Sequence, residues 1–146
     1  MRHYEQRPAR RGAVSVEVAI VLPVAFMFMF ALFDVGRAIT TKQLMVNATR
    51  AAVRQAVVGT TTLTTSDIQA TVTSGMGSFA LQGMNVQVYQ ADPTTGANIG
   101  VWTKAANGQS IAVQVTGNYV PIVPHFSLLP NPIAMSSKAM MNSEAN

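Results

Sequence analysis

Arg10-Arg11-Gly12-Ala13-Val14-Ser15-Val16-Glu17, running into the apolar stretch Val18 to Phe33, decides how the rest of the chain is read. A basic segment ends in a small residue, and a single acid then stands at the start of a helix long enough for a membrane. Ala13 to Phe33 is 21 residues. At about 1.5 Å rise per residue it covers about 31 Å, close to the hydrocarbon thickness of a bilayer. The segment is expected to span a lipid bilayer once.

A secretory signal peptide also opens with a basic region and an apolar run. This run is long, contains Glu17, and is followed by Asp34-Val35-Gly36-Arg37 rather than by a small-x-small cleavage signal. An anchor is therefore favoured over a removed signal. Pro23 lies inside the span and lacks a backbone donor, so it is expected to kink the helix or to leave a carbonyl for a neighbour to satisfy.

The net charge of +4 divides unevenly at Gly12, because Arg2, Arg7, Arg10 and Arg11 against Glu5 give the first twelve residues +3. The remainder is close to neutral, with no basic stripe to neutralise phosphates, so nucleic acid is not an expected partner. Four arginines before the span, against Arg37 and Lys42 with Asp34 after it, favour an N-terminus in the cytoplasm and the rest outside. The chain has no cysteine, which removes disulfides, thiol nucleophiles and thiolate metal sites.

A carboxylate inside a membrane costs a few kcal/mol on insertion scales unless it reaches water or a partner. Glu17 near the edge can snorkel or gain weakly from the helix dipole. If the chain is cut between Gly12 and Ala13, Ala13 becomes an α-amine and Glu17 the fifth residue, one turn away. Glu17 of one subunit could then pair with the terminal amine of a neighbour, relieving the penalty only when helices associate in register.

At these residues the chain resembles the prepilin class of type IV filament systems, whose short basic leaders end in glycine and whose fifth mature residue is glutamate. The longer stretch from Arg10 to Pro23, with Asp34-Val35-Gly36-Arg37-Ala38 downstream, is similar to the TadE family of minor pseudopilins in the Tad (tight adherence) machinery that builds Flp pili. The likeness covers residues 10 to 58. Val18 stands where related sequences usually carry an aromatic. The resemblance implies removal of the leader by a prepilin peptidase and residence in the bacterial inner membrane, with the C-terminal region in the periplasm. It also implies contacts with Flp pilin, other pseudopilins and the inner-membrane assembly platform. Incorporation into the filament stays open, and no cofactor is implied.

The helical pattern continues past Phe33. Val35, Ile39, Met45 or Val46, Thr49, Ala52 or Val53, and Ala56 recur at three- or four-residue intervals with Arg37, Thr41, Arg50 and Arg54 between them, and Gly59 is the expected stop. One helix from Ala13 to Val58 has 46 residues and extends about 69 Å, so it is anchor and stalk together. The chain accordingly divides into a basic leader (1–12), a transmembrane helix (13–33), an amphipathic stalk (34–58) and a small exported region (59–146). Arg50 and Arg54, like charges four apart, could meet an acidic partner, although a solvated face is the plainer reading.

In the exported region, Ser66-Asp67-Ile68-Gln69 has the form of a capping box, predicting a helix from about Asp67 to Ser74 that Gly75 and Gly77 release. Val86, Val88 and Gln90 suggest a strand, Asp92-Pro93-Thr94-Thr95-Gly96 a turn, and Ile99 to Lys104 a returning strand. Asn107-Gly108 suggests a hairpin before Ile111, Val113 and Val115, which should face one side. Pro121, Pro124, Pro130 and Pro132 imply an irregular crossover before a last strand through Ile133, Met135, Ser137, Ala139 and Met141. The expected fold is α+β and pilin-like, a long helix packed on a small antiparallel sheet.

No enzyme signature emerges. His125 stands without a nearby acid, and Asp34, Asp67, Asp92 and Glu144 are scattered, so loop packing is preferred to catalysis. Trp102, Tyr89 and Tyr119 could form a sugar- or protein-binding surface, but each lies in an expected strand and sheet packing is the plainer account. The competing readings are a pseudopilin cut after Gly12, an uncut single-pass envelope protein whose exported domain binds a partner, and an exported hydrolase, which is disfavoured.

Overall fold

A computed structural model describes residues 10–122 and 131–144. Its first element, α1, is one helix of 49 residues, Arg10–Val58, passing unbroken through Pro23. It begins three residues earlier than expected, so Gly12 and Ala13 lie within it. Arginine is a good helix former, and one glycine near a helix end costs only about 1 kcal/mol. Gly59 ends the helix as expected, its N–H donating to Gln55 O at 3.0 Å.

From Asp34 onward α1 buries one stripe: Asp34, Thr41, Met45, Ala48, Thr49, Ala52, Val53, Ala56 and Val57. The outer half of this stripe is the expected one. The inner half is rotated by one residue, because Asp34, Ala38 and Thr41 face the domain while Val35 and Ile39 remain exposed. The buried threonines do not need outside partners, since Thr41 Oγ1 donates to Arg37 O (2.8 Å) and Thr49 Oγ1 to Met45 O (2.6 Å).

α2 spans Thr65–Met76, with Ile68, Val72 and Met76 buried against α1. Its N-cap is Thr64, two residues before the expected box. The reciprocal bonds join Thr64 to Asp67, the Thr64 N–H donating to Asp67 Oδ2 at 2.8 Å. These bonds hold the Asp67 carboxyl below its usual range, the Thr64 side chain acting most strongly. Nor does Gly75 release the chain. A Cβ there would stand 2.9 Å from Ala48 Cβ, so glycine serves the close crossing of α2 on α1, and the turn comes at Gly77 with φ of 51°.

Four strands form an antiparallel sheet in the order β2-β1-β3-β4: β1 Gln82–Ala91, β2 Asn98–Gly100, β3 Ser110–Tyr119 and β4 Ile133–Asn142. Val86 pairs with Val115, Val88 with Val113 and Val113 with Ala139, which sets one apolar face against α1. Ile111, Val113 and Val115 are fully buried on that face, as their alternation implies.

The second expected strand is shorter than Ile99 to Lys104. It stops at Gly100, and Trp102–Lys104 forms a 3-10 turn. The turn carries Trp102 inward, where it is 1% exposed and its Nε1–H donates to Thr65 Oγ1 at 3.0 Å. Asn107-Gly108 does make a turn, with Gly108 at φ of 81°, but β2 pairs with β1 rather than β3, so no hairpin joins β2 to β3. Asp92 closes the β1–β2 turn by accepting from the N–H groups of Thr94 and Thr95 (2.8 and 2.7 Å), which lowers its carboxyl pKa, Thr95 first. β4 matches its expected span. Pro124 and Pro130 of the crossover lie outside the described residues, as does most of the leader.

Candidate functional site

Along α1 the residues from Val14 to Phe33 have no tertiary cover. Val14, Val16, Ile20, Leu22, Phe26, Phe28, Leu32 and Phe33 are exposed around the whole helix. An apolar helix bare on every side is at home only in lipid or among other apolar helices. This helix is long and apolar enough to cross a membrane, consistent with a single-pass protein. Glu17 lies on its exposed surface near the start, four residues after Ala13.

Cover begins abruptly at Asp34, which is 1% exposed. Its Oδ1 accepts the N–H of Ile122 at 2.9 Å, and its backbone carbonyl accepts the Tyr119 hydroxyl at 3.2 Å. Arg37, one turn on, places its guanidinium 5.7 Å from the centre of the Tyr119 ring. The end of β3 is thus fastened to the helix within one turn of the last bare residue. At the opposite end, Glu144 N–H donates to Val57 O at 3.1 Å, so the domain is tied to both ends of the stalk.

Burial raises the Tyr119 phenol above its ordinary value. The Asp34 charge adds to that, and Arg37 opposes it. Tyr119 therefore holds its proton and remains a donor to Asp34 across the physiological range. This junction was not anticipated. Asp34 registers in the sequence as a flanking charge, yet it is in phase with Ala38, Thr41, Met45, Ala48 and Ala52. An acid heading a three-and-four stripe was the available signal.

Of the other residues singled out, Trp102 is core rather than surface, which removes the sugar-binding surface built on it. Tyr89 and Tyr119 pack in strands as expected. Tyr89 donates to Gln114 Oε1 at 3.1 Å and lies under Lys138 Nζ, 5.6 Å from its ring centre. Arg50 and Arg54 are exposed on α1. His125 lies outside the described residues.

Residues 12–54 match the model of a family described as TadE-like protein. The match contains the bare helix, Glu17, Asp34 and most of the buried stripe, and it ends before α2 and the sheet. It is consistent with a Tad pilus-associated protein. No curated protein and no solved structure matches the chain significantly.

Proposed function

We propose that this chain is a minor pseudopilin that supports assembly of a Flp-type pilus, is cut after Gly12 by a prepilin peptidase, and acts by packing its apolar helix against pilin and other pseudopilins. One observation carries the reading. Val14 to Phe33 is bare all round and has Glu17 as its only acid, while the folded domain grips the same helix only from Asp34 onward. A helix needed only to hold a domain on a membrane has no use for a carboxylate at that depth, whereas a helix that packs among its like can pair one.

The chain's part in this is structural, not enzymatic. It sits in the inner membrane with its N-terminus cytoplasmic and its domain periplasmic, and the assembly platform receives it there.

A specific observation favours the second reading, an uncut single-pass envelope protein. α1 runs without a break through Gly12 and Ala13, and a peptidase needs the bond it cuts unwound. The mature N-terminal residue decides between the two. Intact mass of the membrane-extracted protein, from cells with and without their prepilin peptidase, should show a peptidase-dependent start at Ala13. A start at Met1 in both strains rejects the pseudopilin reading.

A further inference from the structure

We infer that the membrane-proximal end of the folded domain, carried by Ile122 with Val35 and Phe33, is seated in the headgroup layer of the bilayer and binds lipid. The inference rests on the reading of Val14 to Phe33 as a membrane span.

The occupant follows from covalent continuity. Phe33 is the last residue of the bare helix, and Ile122 is held to Asp34, the very next residue, by the 2.9 Å bond from its N–H. Ile122 therefore cannot stand more than a few ångströms in depth from the end of the span. The layer between hydrocarbon and bulk water is about 5–7 Å deep on each side, so Ile122 falls within it, and Val35, about 3 Å along the helix from Phe33, does too.

The side chains suit that layer. Ile122 and Phe33 are each 65% exposed and Val35 40%. The domain buries Ile111, Val113, Val115 and Ile68 completely and leaves apolar side chains exposed at both ends, Val35 and Ile122 at this one and Val58, Ile99 and Val101 elsewhere. It is the position beside the end of the span that singles out Val35 and Ile122. A shallow, largely apolar groove of ≈ 380 Å³ runs outward from Val35 along α1 and the start of β4, past Ala38, Ile39, Ile133 and Met135, and only its Val35 end lies within that layer. Lys42 flanks the groove.

The opposite end of the sheet supplies the control. β3 runs from Ser110 to Tyr119, so Ile111 stands about 26 Å from Tyr119 along the strand. β2, paired to β1 at Gln90 and Ala91, lies at that far end with Ile99, which is 58% exposed. Ile99 and Ile122 are thus the same residue type at similar exposure, and only one is placed to touch lipid.

The chain has no cysteine, so single cysteines report without background. Leu22→Cys, Val35→Cys, Ile99→Cys and Ile122→Cys in the full chain are labelled with a polarity-sensitive fluorophore and reconstituted in phosphatidylcholine–phosphatidylglycerol vesicles. The lipids carry a nitroxide either near the chain carbonyl or near the chain terminus, and each variant is first shown to melt with the parent. The expected result is strong quenching at Ile122 and Val35 by the shallow nitroxide, at Leu22 by the deep one, and several-fold weaker quenching at Ile99. Quenching at Leu22 with Ile122 no better quenched than Ile99 overturns the inference while leaving the span intact. Absence of quenching at Leu22 removes the span, and the inference falls with it.

Discussion

Asp34 and Ile122, 88 positions apart in the chain, are joined by a 2.9 Å hydrogen bond from the Ile122 N–H to Asp34 Oδ1, and that bond coincides with the boundary between bare and covered helix. Among the described side chains none before Asp34 on α1 is buried, and from Asp34 onward the helix has a core-facing side. A carboxylate at the boundary thus fixes where the domain begins on the rod. It also fixes how far the rod projects.

Removing this acceptor breaks a part-buried hydrogen bond, whose net contribution is about 0.5–1.5 kcal/mol. Asp34→Ala is therefore expected to lower the unfolding free energy of the detergent-solubilised protein by about that much, and to speed exchange of the Ile122 amide before the amides of β3. Asp34→Asn keeps an acceptor and should lose less. Equal losses in the two variants would assign the effect to charge rather than to the bond.

Tyr119 gives a test in pH. Its pKa is raised in the folded state, so the folded protein binds the phenolic proton more tightly than the unfolded chain does. That contribution is complete below the ordinary tyrosine value near 10.0 and is lost as pH rises through the folded one. Stability should fall on the alkaline side, and Tyr119→Phe should flatten that fall while giving up the bond to Asp34 O. Ultraviolet difference titration of the parent against Tyr119→Phe should isolate a phenol that ionises above 10.0; one that ionises at or below that value would contradict the assignment.

Gly75 sets two effects against each other. In an open helix, glycine to alanine gains about 1 kcal/mol of propensity. Here the new methyl would stand 2.9 Å from Ala48 Cβ, and overpacking of this kind costs about 1–3 kcal/mol. The clash is between two Cβ atoms that cannot rotate away, so Gly75→Ala should lower the melting temperature. Ala48→Gly in the same chain should restore part of the loss, because it removes the atom that is struck. A Gly75→Ala variant that melts above the parent would mean the helices part easily.

The elements with strong local patterns were legible in the sequence. The long helix through Val58, though not its start at Arg10, the buried alternation of Ile111, Val113 and Val115, the stop at Gly59 and the turn at Asp92 all follow from period, propensity or turn chemistry. Three features were decided by partners distant in sequence. Trp102 leaves the strand because Thr65 and the core receive its ring, Gly75 stays helical because Ala48 needs the space, and α1 is rotated near Asp34 because Ile122 and Tyr119 dock there. In the candidate site, Glu17 was legible as an acid in an apolar run. Asp34 was not, since its partner arrives 88 positions later.

Glu17 separates packing from anchoring by the direction of two effects. A carboxylate in the span opposes insertion by a few kcal/mol, so Glu17→Ala should enter the membrane at least as well as the parent. If the acid instead pairs with a neighbour's Ala13 amine, the same variant should associate less, because the register-fixing contact is gone. In-membrane cross-linking to pilin, set beside the amount of membrane-extracted protein, reads both quantities at once. Undiminished insertion with weakened cross-linking supports pairing. Cross-linking that survives Glu17→Ala unchanged leaves the acid a snorkelling residue and takes the electrostatic register out of the assembly mechanism.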